Sequence, residues 1–182
     1  MKLYMSKTSA KNATYALENG QVIYRVDTPL KLGNRVTTIE RIAPNHTPND
    51  MHDAFNELAK IEWQVIKSSR INMHGTSKSV SEIFRRGGYG AYGRHRIFAG
   101  PDGREYRWKL GNWSSKLCLN DGSKAVVAKY HRPALGFNTG HSRAYLEIFP
   151  LGEGIADYIL VTFVYIEKLR KDRERASRSG GS

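Results

Sequence analysis

Apolar and polar residues alternate with a period of two along much of this chain, the pattern of strands with one buried face. In residues 55–66, Leu58, Lys60, Glu62 and Gln64 share one face while Ala59, Ile61, Trp63 and Val65 share the other. The spacing predicts a strand with Ile61 and Trp63 inward. Residues 13–17 and 22–26 read as strands flanking Asn19-Gly20, a pair that supplies the positive φ of a tight turn. Pro29 ends the second strand or leaves it at an edge. Further strands are predicted over residues 36–42, 96–99, 105–110, 125–130 and 143–149. Turns at Pro101-Asp102-Gly103 and Asn120-Asp121-Gly122 separate three of them. Residues 77–84 hold one short helix, and residues 44–50 and 87–93 read as loops.

One segment breaks the alternation. Residues 155–166 are apolar almost throughout, and a basic run follows directly. The stretch is shorter than the roughly twenty apolar residues of a spanning helix, and Asp157 and Thr162 interrupt it. A helix over about 155–169 is apolar nearly all round, so it must be enclosed. Gly154 before it and Lys168 to Arg173 after it fit helix termini. A last long strand suits the β-branched and aromatic content, and membrane insertion is the third alternative. Residues 1–170 read as one domain, with 171–182 a flexible basic tail.

Charge narrows the partners. The chain has 182 residues and a formal net charge of +12. That field favours nucleic acid, anionic lipid headgroups or an acidic protein. Cys118 is the single cysteine, so neither an internal disulfide nor a cysteine-rich zinc site is available. No signal-like apolar run opens the sequence, and a cytoplasmic location, peripheral at a membrane, is expected.

Little points to catalysis. The six histidines form no His-x-x-x-His or His-Glu-x-x-His pair, so neither a metal site nor a cofactor is expected. Gly88-Tyr89-Gly90-Ala91-Tyr92-Gly93 fits G-x-G-x-x-G formally, but a strand, not a helix, follows it. Tyr89 and Tyr92 could stack bases of a single strand. Cys118 reads as a buried small hydrophobe. Trp63, Trp108 and Trp113 are expected in the core.

Between Arg85 and Arg132 lie eleven Lys/Arg and three acids, Asp102, Glu105 and Asp121. Within this zone Arg85, Arg86, Arg94, Arg96, Arg107 and Lys109 are the anion-binding candidates, since guanidinium forks match phosphate oxygens. Lys168, Arg170, Lys171 and Arg173 form a second candidate patch in the tail. A solvated basic face would show the same composition.

Three segments, residues 58–63, 96–109 and 156–167, together resemble the tubby C-terminal-like superfamily: tubby domains, LURP-one-related proteins and phospholipid scramblases. The closest likeness is to an uncharacterised fungal branch of small proteins. The resemblance implies a closed antiparallel β-barrel of about twelve strands around a hydrophobic C-terminal helix. It also implies phosphoinositide headgroups as ligand, though no family site residue can be placed on this sequence. The expected function is a non-enzymatic module for anionic membrane lipid headgroups, with nucleic-acid binding or protein interaction as the alternative.

Overall fold

The computed structural model describes residues 1–30, 35–44, 54–64, 66–88, 95–111, 113–133 and 143–179. Four strands open the chain, β1 (Lys2–Met5), β2 (Ala13–Ala16), β3 (Val22–Asp27) and β4 (Arg35–Ile42). They are followed by β5 (Phe55–Trp63), β6 (Arg70–Met73) and β7 (Thr76–Ser79). A one-turn helix α1 (Val80–Ile83) leads to β8 (Arg85–Gly87), β9 (His95–Ala99), β10 (Glu105–Leu110) and β11 (Ser115–Leu119). The strands end with β12 (Val126–His131) and β13 (Tyr145–Ile148), and helices α2 (Pro150–Glu153) and α3 (Ala156–Ser179) complete the order.

All thirteen strands form one antiparallel sheet, ordered β7-β6-β5-β4-β3-β2-β1-β13-β12-β11-β10-β9-β8. Pairing of β1 with β13 joins two successive meanders. Inward positions alternate as the sequence pattern requires: Leu3, Tyr15, Tyr24, Ile39, Ile61, Trp108, Leu117 and Leu146 are fully buried. Gly20, at φ +89°, makes the turn between β2 and β3, where a Cβ would be strained.

The segment over 155–169 is helical. Its Ile159, Leu160, Phe163, Val164 and Ile166 are buried, as an all-round apolar helix demands. Burial against the sheet outweighs the strand propensity of its β-branched residues. Strands from both wings reach it. Tyr24 donates to Asp157 at 2.7 Å, Trp63 and Phe84 flank Tyr165, and Trp108 Nε1 donates to Thr162 Oγ1 at 3.0 Å.

Two expectations are corrected. The sheet is not a closed barrel of about twelve strands: β7 and β8 are its two edges, and no ladder joins them among the described residues. The chain between them is spent on α1. Ser79 Oγ accepts from Glu82 N at 3.3 Å, and Ser79 N donates to Glu82 Oε2 at 2.6 Å. The capping box starts α1, and Phe84 just after it packs on Phe98 and Tyr165. Helix α3 runs on past residue 171 to Ser179. Glu174 holds that extension through Arg132 at 2.7 Å and Arg178 at 2.9 Å. Finally, Trp113 is 69% exposed, while Trp63 and Trp108 are in the core.

Among the described residues, no helix is long and apolar enough to cross a membrane.

Candidate anion-binding surfaces

Strand β10 divides its side chains cleanly. Tyr106, Trp108 and Leu110 are buried on the α3 side, and Arg107 and Lys109 take the outer face. Register then builds a row of charge that no single segment displays. Lys109 stands opposite His95 on β9 and Lys116 on β11, and Lys116 stands opposite Lys129 on β12. Like charges directly opposite each other on a sheet are destabilising. Among the described residues none of these three lysines makes an ion pair. Lys129 is next paired with Glu147, whose carboxylate contacts His131 Nε2 at 2.9 Å instead. His95 is held below the ordinary histidine range, first by partial burial and then by Arg107 and Lys109.

The six candidates of the 85–109 zone separate. Arg85 is on the outer side but pairs with Glu105 at 2.9 Å. Arg107 Nε donates to Asn120 Oδ1 at 2.7 Å, and Asn120 Nδ2 donates to Glu105 at 2.8 Å. Arg94, with Tyr89 and Tyr92 of the glycine-rich run, lies outside the described residues. Arg96 is 6% exposed and sits on the α3 side, with Arg86 opposite it on β8. Burial lowers the Arg96 guanidinium first. Arg173 and Arg86 add to that, while the neighbouring Tyr165 hydroxyl acts the other way.

The tail candidates do not form one patch. Lys168 pairs with Asp172 at 2.5 Å and lies 5.1 Å from the Trp63 ring. Arg170 is buried against Glu167 at 3.0 Å, and Lys171 donates to the Thr8 carbonyl at 2.5 Å. Arg173 instead joins the surroundings of Arg96 and Tyr165. Beside it a cleft of about 490 Å³ is lined by Leu110, Gly111, Trp113, Arg173, Glu174 and Arg178.

Lys116 and Lys129 were missed as site residues. Each is polar within an alternating strand, but only the β10-β11-β12 register makes them neighbours of Lys109. Among the described residues no group of three or more His, Cys, Asp or Glu could hold a metal ion.

No curated protein matches the chain. A family model described as "Family of unknown function (DUF6593)" matches residues 8–172. The chain is similar to the X-ray structure of a protein from Arabidopsis thaliana, at 12% identity and a TM-score of 0.53. That match covers 92% of this chain and 90% of the other, and at such identity it shows the fold alone. The tubby-type resemblance is corrected. The sheet is open, and neither description names tubby, LURP-one-related or scramblase proteins. The phosphoinositide expectation, which rested on that resemblance, goes with it.

Proposed function

The chain belongs to the Family of unknown function (DUF6593), and we propose for it a non-enzymatic binding role: docking on anionic membrane headgroups through the outer face of β10, β11 and β12. The observation that carries this reading is the row Lys109, Lys116 and Lys129, in register across three strands. Such a row costs folding stability, and an anionic surface offsets that cost. Each basic residue near anionic lipid contributes about 1 kcal/mol, and the attraction fades beyond a Debye length of about 8 Å. The net charge of +12 supplies longer-range steering to the same kind of partner.

Charge, more than stacking, is what this side offers. Tyr145 already stacks on His131 with centroids 4.3 Å apart and packs against Tyr4 at 5.4 Å. That favours headgroups over single-stranded nucleic acid, whose binding draws on open aromatic faces.

The test compares phosphatidylcholine vesicles, with and without phosphatidylserine, against a single-stranded oligonucleotide at one salt concentration. Cosedimentation only with the phosphatidylserine vesicles, weakening as salt rises, supports the reading. Oligonucleotide binding without vesicle binding overturns it in favour of a nucleic-acid module.

A further inference from the structure

We propose that Trp113, in the turn between β10 and β11, is an anchor that enters the interface of an anionic bilayer beside the lysine row. The inference rests on the headgroup-docking reading and adds an apolar contact to it.

The hairpin holds the ring out by its construction. Leu110 and Ser115 make the last rung of the β10–β11 ladder. Beyond it Gly111 N donates to the Ser114 carbonyl at 3.1 Å, which places Trp113 in the turn. The backbone closes so tightly there that a Cβ on Gly111 would stand 2.7 Å from the Ser114 oxygen. Tight turns favour Gly, Asn and Asp, for what these residues do for the backbone. A tryptophan in such a turn adds little to the fold: it is 69% exposed, while Trp63 and Trp108 are buried. Arg132 is beside it, with its guanidinium 5.7 Å from the ring centroid and a pairing to Glu174 at 2.7 Å.

The ring and two of the lysines belong to one hairpin. Lys109 pairs with Lys116 one rung before Leu110 and Ser115, about 10 Å back from the turn at about 3.4 Å per residue. Lys129 follows across β12. A bilayer surface fits this order. Tryptophan favours the boundary between headgroups and acyl chains, where its ring is apolar and its N–H stays wet. Lysines a few residues behind it reach the headgroups, their methylene stems lying along the apolar layer. A soluble anion would use the lysines and leave the ring in water. Single-stranded nucleic acid stacks successive bases on several rings along a groove, whereas Trp113 is one ring at a turn with Arg132 beside it.

Tryptophan emission tests this directly, because Trp63 and Trp108 are already buried and Trp113 alone of the three is open to water. The probes are vesicles of phosphatidylcholine and phosphatidylserine, the same vesicles with acyl-chain-brominated phosphatidylcholine, and a single-stranded oligonucleotide. Cosedimentation is followed in parallel. The expected result is a blue shift on vesicle binding and quenching by the brominated chains, both lost in Trp113→Phe, which still sediments. Trp113→Ser should weaken vesicle affinity about tenfold, the lower end for burying a large apolar side chain. Unmoved emission, or an affinity indifferent to Trp113→Ser, in protein that still sediments overturns the anchor and leaves the lysine row standing. Failure to sediment with the vesicles overturns both readings. Quenching of Trp113 by the oligonucleotide with no response to vesicles overturns the anchor in favour of base stacking.

Discussion

Arg170 Nη2 lies 3.0 Å from Glu167 Oε2, one turn away on α3, and both side chains are buried. Ser115 Oγ on β11 donates to the other oxygen of Glu167 at 2.6 Å. Arg170 Nη1 reaches Glu174 at 3.1 Å, and Arg132 meets the same carboxylate at 2.7 Å. The network ties the polar half of α3 to β11 and to the segment after β12. Removing one partner of a buried pair strands the other charge, at about 3–5 kcal/mol. Glu167→Gln is therefore expected to lower stability by up to that amount in urea denaturation, since Glu174 still holds Arg170, whereas Lys116→Gln on the outer face does not lower it.

Phe163 tests the apolar half of the helix. It is fully buried, with Tyr130 at 5.3 Å and Trp108 at 6.1 Å between ring centroids. Phe163→Ala removes a ring that β10 and β12 pack against and is expected to cost about 3–5 kcal/mol. A loss under about 1 kcal/mol in the same assay would mean that α3 is not enclosed as described.

Acid stability follows Glu174. The hydrogen bond from Arg132, foremost, holds its carboxyl below the usual range, with Arg170 adding to it. The folded state then binds fewer protons than the unfolded one near the ordinary glutamate pKa, so stability rises with pH there. The contribution is complete above that value and is lost as pH falls through the depressed one. Glu174→Gln removes it, and the urea midpoint of the variant should fall less steeply than that of the wild type on acidification.

His95 reports on the lysine row. Its pKa is depressed by partial burial first, then by Arg107 and Lys109. Neutralising Lys109 with glutamine should raise it, and so should docking on phosphatidylserine nanodiscs, which bring negative charge to the same face. Histidine titration by NMR measures both shifts. A His95 that titrates identically with and without the nanodiscs would place docking elsewhere.

Much of the fold was legible in local pattern. The inward turn of Ile61 and Trp63, the Asn19-Gly20 hairpin and the enclosed helix follow from period, turn chemistry and all-round apolarity. The open sheet was not legible, because closure depends on whether β7 meets β8. A helical turn capped by Ser79 and Glu82 lies between them. Strand β1, four residues at the chain start, is too short to show a period and exists by pairing with β2 and β13. The site was half legible. Alternation put Arg107 and Lys109 on one face, but cross-strand register assembled Lys109, Lys116 and Lys129, and register is not written in any one strand. Trp113 shows that a large apolar ring alone does not imply burial.

The most direct measurement of the central claim is vesicle affinity after charge removal from that row. With phosphatidylserine vesicles at fixed salt, Lys109→Gln, Lys116→Gln and Lys129→Gln should each weaken binding about fivefold, at about 1 kcal/mol per lysine. The triple variant should all but abolish it while its urea midpoint stays at or rises above that of the wild type. Undiminished vesicle binding by the folded triple variant would contradict the account.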